Sequence, residues 1–282
     1  QEGTYSFEGL TMYNDYYISP TKEGNYLEGL TTLDLVLIQR HILGTAKLNS
    51  AEKLIAADVN NDKKITANDL VELRKLILGL TVKLNNNDSW TFVPKSYVYP
   101  DATNPYNAPR SININNLTTD KLDQDFTGIK IGDVDQNAAA SFAGNTSGNR
   151  SAKNLTLSAE DKSVVSGDVV TIDVTANNFR DVFGYQFTAN LAGMELVEVK
   201  SGAIAIDETN YGVPAAGKMT MSWSTETGAT VADGDVLFTL VMRATTSNKV
   251  SNMIALSSDV TSAESYGADM NANGVELSFR NG

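Results

Sequence analysis

Along this chain the spacing of apolar residues changes character twice. Between Gly29 and Gly79 they recur at helical intervals: Leu35, Ile38 and Ile42 form one stripe, and Leu70, Leu73 and Ile77 form another. Each stripe runs into a glycine, Gly44 and Gly79, the residue type that lets a helix stop in a left-handed turn. Between the two, Asn49-Ser50 with Glu52 reads as a helix start ahead of the short apolar run Leu54-Ile55-Ala56. Beyond a small, polar stretch at 137–152 the period falls to 2 and stays there. Val170, Ile172 and Val174 alternate with Thr171 and Asp173; Tyr185, Phe187 and Leu191 share a face, as do Met219, Met221 and Trp223. Val236, Phe238, Leu240 and Met242 follow, then Val275, Leu277 and Phe279, with glycine and Asn-Asp turns between the runs. With no helical stripe intervening, this predicts an all-β sandwich of roughly 130 residues.

The remaining segments are less regular. Tyr5, Phe7 and Tyr17 alternate with small or polar residues, Tyr16-Ile18 less cleanly, around a loop at Asn14-Asp15. This predicts a β-hairpin over residues 1–28, too small to stand as a sheet alone. In residues 81–134, Trp90, Phe92, Tyr97 and Tyr99 are interleaved with polar residues and punctuated by Pro94, Pro100, Pro105 and Pro109. Irregular structure with short strands, packed on the helices, is expected there. The domain plan is therefore a hairpin at 1–28, a helical module with an irregular or β extension at 29–136, a linker at 137–152 and a sandwich at 153–282. Gln1 follows no targeting leader, and Arg280-Asn281-Gly282 closes straight after a strand-like run, so the chain reads as a segment of a longer polypeptide.

The two helical stripes are copies of each other at an offset of 35 residues. Asp34-Leu35-Val36 matches Asp69-Leu70-Val71, Thr31 matches Thr66, Arg40 matches Lys75, and Ile42-Leu43-Gly44 matches Ile77-Leu78-Gly79. Ahead of the second copy stands DVNNDKKITAND, residues 58–69, with carboxylates and amides at alternate positions. A hard cation such as calcium takes six to eight oxygens, and a twelve-residue loop supplies them from positions 1, 3, 5, 7, 9 and 12. Counted from Asp58, those positions hold Asp58, Asn60, Asp62, the backbone carbonyl of Lys64, Thr66 and Asp69. Position 6, where glycine is usual, holds Lys63, and a left-handed backbone there costs a non-glycine residue about 1 kcal/mol. A solvated turn with Asp69 as a helix-starting residue is the alternative. Back-counting from Asp34 gives a weaker first loop, with Glu23, Asn25, Leu27, Gly29 and Thr31 at the ligand positions; Leu27 cannot ligate. Asp133, Asp135 and Asn137 form a third alternating set, without a helix or an acidic twelfth position behind it (the twelfth is Gly144), and a solvated turn competes there too.

Composition narrows the chemistry. The 282 residues carry a formal charge of −12, which disfavours nucleic acid or an anionic membrane as partner and suits divalent cations. No stretch approaches the ~18 to 20 apolar residues of a membrane span. There is no cysteine and a single histidine, His41, so cysteine nucleophiles, disulfides and zinc sites are excluded and oxygen ligation remains. His41, between Arg40 and Ile42, has no nearby partner that would make it a base; packing or partner contact is expected of it. Trp223, alternating with Met219 and Met221, is read as core, with a sugar-stacking platform as the alternative. The carboxylate pairs Asp123/Asp125 and Asp233/Asp235 read as acidic loops rather than a glycosidase pair.

Residues 29–80, with LTTLDLVLIQRHILG and DVNNDKKITANDLVELRKLILGL, resemble a type I dockerin, two calcium-loop-plus-helix repeats; the resemblance reaches back to about residue 23. GIKIGDVDQN resembles the extension that follows dockerin-like modules in surface proteins of Bacteroidetes-type bacteria. Residues 153–281, with SGDVVTIDVTANNFRDVFGYQFTANL and DGDVLFTLVMRAT, resemble a cohesin-type jelly-roll sandwich, and 1–28 resembles the last strands of a transthyretin-like, carboxypeptidase-regulatory domain. The resemblance implies calcium, an extracellular or cell-surface setting and a non-catalytic role in which dockerin helices dock on a cohesin sheet. Carried over by position, the docking residues are Thr32, Leu33, Arg40 and His41 in the first repeat and Ala67, Asn68, Arg74 and Lys75 in the second. The partner is then protein, including other copies of this chain joined head to tail into a fibre or matrix; the competing arrangement is docking within one chain as a calcium-stiffened spacer. The non-catalytic tail of a secreted glycoside hydrolase and a carbohydrate-binding sandwich are the alternatives of another class.

Overall fold

The computed structural model describes residues 3–138 and 151–281, so most of the expected linker at 137–152, Gly144 included, lies outside the described residues. The first half contains β1 (Tyr16–Ile18), α1 (Thr32–Leu43), α2 (Ala51–Ala57), α3 (Ala67–Ile77), β2 (Trp90–Pro94), β3 (Ile112–Ile114) and β4 (Phe126–Lys130). The second half is β apart from one 3-10 turn at Val250–Asn252: β5 (Ser151–Asp161), β6 (Ser163–Val164), β7 (Val169–Asn177), β8 (Val182–Leu191), β9 (Met194–Ser201) and β10 (Tyr211–Ala215). It continues with β11 (Lys218–Ala229), β12 (Val236–Ala244), β13 (Asn248–Lys249), β14 (Ile254–Ser257), β15 (Glu264–Tyr266) and β16 (Ala272–Asn281).

The repeat seen in the sequence is repeated in the hydrogen bonds. Thr31 caps α1 by accepting from the Leu33 N–H, and Asp34 returns the favour by accepting from the Thr31 N–H at 2.9 Å. Thr66 and Asp69 do the same for α3, with the Thr66 N–H 2.8 Å from Asp69 Oδ2. At the far ends Gly44 and Gly79 turn left-handed, with φ of 79° and 70°, and the N–H groups of Thr45 and Leu80 reach back to the carbonyls of Arg40 and Lys75. The apolar stripes then meet: Leu35 and Ile38 of α1 and Leu73, Leu76 and Ile77 of α3 are fully buried together. Ile55 and Ala56 of α2 close one side of this core, and Val93 and Ile129, from the antiparallel pair β2–β4, close another.

The hairpin expected over residues 1–28 is not formed. Among the described residues of that stretch only Tyr16–Ile18 is a strand, and it pairs antiparallel with Ile112–Ile114, Tyr17 opposite Asn113. Alternation marks residues that suit a strand but carries no information about the partner, and here the partner is a distant loop. Tyr5 and Phe7 lie outside any strand and are exposed.

Ten strands of the β half form one sheet in the order β10-β11-β8-β15-β16-β5-β7-β12-β9, with β14 also on β8, while β6 and β13 pair apart from it; β16–β5 is the parallel pair. Four strands separate β8 from β12 in that order, yet Tyr185 and Phe238 stack at 6.5 Å, so the sheet closes over itself as two layers. The core between the layers holds Tyr185, Phe179, Phe238, Met219 and Met221. Trp223 belongs to it: the indole is 6% exposed, its ring lies 5.6 Å from Tyr185, and its N–H donates to the Ala205 carbonyl. Because Phe238 joins the layers, Phe238→Ala is expected to cost about 3 to 5 kcal/mol. Denaturant unfolding followed by circular dichroism measures it, and a loss below ~1 kcal/mol would mean that the layers do not pack through this ring.

Candidate metal loops and docking face

The loop from Asp58 to Asp69 joins the end of α2 to the start of α3. Asp58 Oδ1 accepts from the Asp62 N–H and Oδ2 from the Lys63 N–H, both at 2.9 Å. Asn60 Oδ1 accepts from the Asp62 N–H, and Asp62 Oδ1 from the Lys64 N–H. Asp69 closes the loop, Oδ1 accepting from Asn60 and Oδ2 from Thr66. Asn61 and Lys63 take left-handed backbones, φ 58° and 65°, so the strain expected at Lys63 is present. Burial raises Asp58 to about 6 and lifts Asp69 above the usual carboxylate range. Among the described residues no lysine, arginine or histidine forms an ion pair with Asp58, Asp62 or Asp69. Three carboxylates, an amide, the Thr66 hydroxyl and the Lys64 carbonyl make an all-oxygen donor set, which fits calcium.

A second cluster brings together residues that the sequence placed in separate loops. Carboxylate oxygens of Asp34, Asp133 and Asp135 all lie within 4.8 Å of one another. Asp34 has no exposed surface, and its Oδ1 accepts from the Val134 N–H at 2.8 Å. Burial, then the charges of Asp135 and Asp133, raises Asp34 well above the ordinary range; burial with Asp133 pushes Asp135 up to about 7. Carboxylates this close do not all ionise without a cation among them. Glu23, expected opposite Asp34, is not part of this cluster. Asn25 turns the chain instead, at φ 46°, its carbonyl accepting from the Glu28 N–H.

The helical unit sits on the sandwich. α1 lies against β8 and β11, on the face turned away from the sandwich core. The Thr32 N–H donates to Gln186 Oε1 at 2.6 Å, and the Thr32 and Ser222 hydroxyls are 2.7 Å apart. At the other end Thr220 donates to the Leu78 carbonyl at 2.7 Å, and Arg74 donates to Ser224 at 2.8 Å. The Arg40 guanidinium lies 5.6 Å from the Phe183 ring. Gln186, Thr188, Thr220 and Ser222 are fully buried although they alternate with core residues. Absent side chains allow the approach: a Cβ on Gly184 would lie 2.9 Å from Thr32 Cγ2, and one on Gly212 would lie 2.7 Å from Leu80 Cδ2.

Of the expected docking positions, Thr32, Arg40 and Arg74 touch the sandwich. Leu33 is buried, whereas Ala67, Asn68 and Lys75 are exposed. His41 serves its own loop: Nδ1 accepts from the Leu48 N–H at 3.0 Å, and burial followed by Lys47 lowers its pKa. Sequence reasoning missed Gln186, Thr220 and Ser222, which look like the solvent side of a half-buried strand. No helix among the described residues is long and apolar enough to cross a membrane.

Residues 30–78 match the family model of the dockerin type I domain, and residues 155–278 match that of the cohesin domain. The chain thus carries a dockerin type I domain followed by a cohesin domain, non-catalytic modules of protein–protein assembly; dockerin type I domains typically bind calcium. No curated protein matches the chain. Among solved structures it is similar to a chain of a type I cohesin–dockerin complex from Clostridium thermocellum, at 14% identity over 45% of this chain and 94% of the other, with a TM-score of 0.34. It is also similar to a non-cellulosomal cohesin from the archaeon Archaeoglobus fulgidus, at 19% identity over 46% and 92%, with a TM-score of 0.32.

The buried Thr32–Ser222 contact lends itself to a double-mutant cycle. Thr32→Val and Ser222→Ala should each cost about 1 to 2 kcal/mol by orphaning a buried partner, and the double variant should cost less than their sum by about 1 kcal/mol. Strict additivity in equilibrium unfolding would show that the two hydroxyls do not meet in solution.

Proposed function

We propose that the chain is a non-catalytic structural protein of the bacterial exterior, in which calcium orders the dockerin domain so that it seats on the cohesin sheet. One observation carries this reading: residues 184–189 of β8 and 219–223 of β11 are buried on both faces, with α1 and the end of α3 on the side that the sandwich core leaves open. Calcium enters through the donor set at Asp58, Asn60, Asp62, Lys64, Thr66 and Asp69. A bound ion would neutralise the loop carboxylates and fix the start of α3, whose far end supplies Arg74 and Leu78 to the docking face. The presence of two assembly modules of non-catalytic type supports the non-catalytic role.

Within one chain, tethering raises the local concentration of the two domains to the millimolar range, which favours the closed seat. The same surfaces can exchange between copies. Such exchange is heterologous and generates rings or head-to-tail filaments. The composition of the contact favours this second reading: Arg40 Nε, Arg74 Nε and Gln186 Nε2 are buried there without hydrogen-bond partners. Unsatisfied polar groups keep an interface from becoming permanent.

Analytical ultracentrifugation with small-angle scattering tests both readings. In calcium the wild-type chain should be a compact monomer, and a chelator or Thr32→Arg should extend it. A concentration-dependent ladder in calcium, abolished by Thr32→Arg, would establish exchange between copies. The same dimensions in calcium, in chelator and in Thr32→Arg would sink the docking proposal.

A further inference from the structure

The docking face has a third strand. β15 flanks β8 on the side away from β11, and its register places Tyr266 opposite Gly184 and Glu264 opposite Gln186. Ser265, between them, stands opposite Tyr185 of the sandwich core. Side chains directly opposite on neighbouring strands share a face, so Tyr266 and Glu264 turn toward the helices with Gln186 and Ser222. Gly184 is the floor between Tyr266 and Ser224, and the start of α1 fills the space above it. A Cβ there would lie 2.9 Å from Thr32 Cγ2 and 3.4 Å from Val36 Cγ2.

Tyr266 is buried, and two groups from opposite sides of the contact meet its hydroxyl. Glu264, from its own strand, accepts from it at 2.8 Å. The Thr31 side chain, from the dockerin, is the other. The chemistry of the three groups sets the direction of the bonds. A carboxylate only accepts, so the single phenol proton is committed to Glu264 and the phenol oxygen is left to accept. Thr31 Oγ1 already accepts from the Leu33 N–H as the helix cap, which leaves its own proton to give. Within the dockerin the taker for that proton is Asp34 Oδ2, at a long 3.4 Å. Docking offers the phenol oxygen as well. Glu264 is turned to the tyrosine even though Gln186, opposite it, has Nε2 buried without a partner.

We propose that Tyr266 is a specificity-determining residue of the docking face: Glu264 fixes its hydroxyl as an acceptor, and that acceptor selects a helix that opens on a hydroxyl-bearing residue. The partner it fits is a helix start of the Thr31 kind, brought by the same chain or by another copy. A residue without a side-chain donor at that position would leave a buried phenol oxygen unpaired, whereas serine would still donate. The proposal rests on the docking reading above, and its test separates the two.

Hydrogen exchange followed by NMR on the full chain in calcium reads the docked state through one amide. The Thr32 N–H lies in the first turn of α1, where no intrahelical carbonyl protects it, and its partner is Gln186 Oε1 across the contact. The Leu240 amide, in a strand flanked on both sides by β7 and β9, reports the fold of the sandwich. Tyr266→Phe should lower Thr32 protection about tenfold, the order of one hydrogen bond to a buried group, and leave Leu240 unchanged. Thr31→Gly, which keeps most of the cap and loses the hydroxyl, should lower it about as much, and Thr31→Ser should keep the wild-type value. Once Tyr266 is phenylalanine, Thr31→Gly should cost little more. Unchanged protection in Tyr266→Phe, or losses that simply multiply in the double variant, would overturn the assignment and leave docking standing. Should Tyr266→Phe unsettle Leu240, equal protection in Thr31→Gly and Thr31→Ser would overturn it instead. A Thr32 amide that exchanges freely in the wild type would overturn docking and the assignment together.

Discussion

Water is excluded from both faces of residues 184–189 in β8 and 219–223 in β11, and that double burial ties the two halves of the chain together. One face turns Tyr185, Phe187, Met219 and Met221 into the sandwich; the other turns Gln186, Thr188, Thr220 and Ser222 toward the helices. Burying four polar side chains is unfavourable unless each finds a partner. Thr188 finds its partners within the cohesin, at Val260 and Thr261. For Gln186, Thr220 and Ser222 the dockerin supplies them, in part from places where a helix has groups to spare. The Thr32 N–H belongs to the first turn of α1 and the Leu78 carbonyl to the end of α3, so neither has an intrahelical partner. The cohesin face is therefore complementary to helix ends, with Arg40 and Arg74 reaching it from the helix sides.

That complementarity explains why the docking and metal sites are coupled. Thr31 and Thr66 begin the two helices, and Asp34 and Asp69 each hold a helix start with one carboxylate oxygen and a loop with the other. Any ion drawn to those carboxylates acts on the turn next to Thr32 in one repeat and on the opposite end from Arg74 and Leu78 in the other. Ordering the loops and aiming the docking groups are one event in the first repeat and two linked events in the second.

Much of the architecture was legible because it is local. The stripes, the Thr–Asp helix starts, the glycine stops and the strand alternation all depend on residues a few positions apart. The same holds for the Asp58 loop, whose ligands are consecutive. What escaped depends on residues far apart. Tyr16–Ile18 was recognisable as a strand, but not Ile112–Ile114 as its mate. Gln186 and Ser222 read as solvent-facing, since a strand covered by a distant helix has the same alternation as one covered by water. Asp34 and Asp133 were both singled out, yet nothing in a linear count joins two loops so far apart in the chain.

The hydrogen bond from Val134 to Asp34 also has a mechanical consequence, because Gly29 meets Ala138, a Cβ on Gly29 lying 2.6 Å from Ala138 Cβ. The two ends of the helical unit touch, and the chain ahead of them is held separately, β1 by Ile112–Ile114 and the Gly24 carbonyl by Ser89, so tension from the N-terminal side loads those contacts before it reaches the seam. Pulling residues 29 and 138 apart peels Asp34 from the Val134 N–H first, while the apolar core formed by Leu35, Ile38 and Leu73 lies behind it, out of the line of load. Separated at those two residues, the unit opens as a clasp does, at the seam before the core.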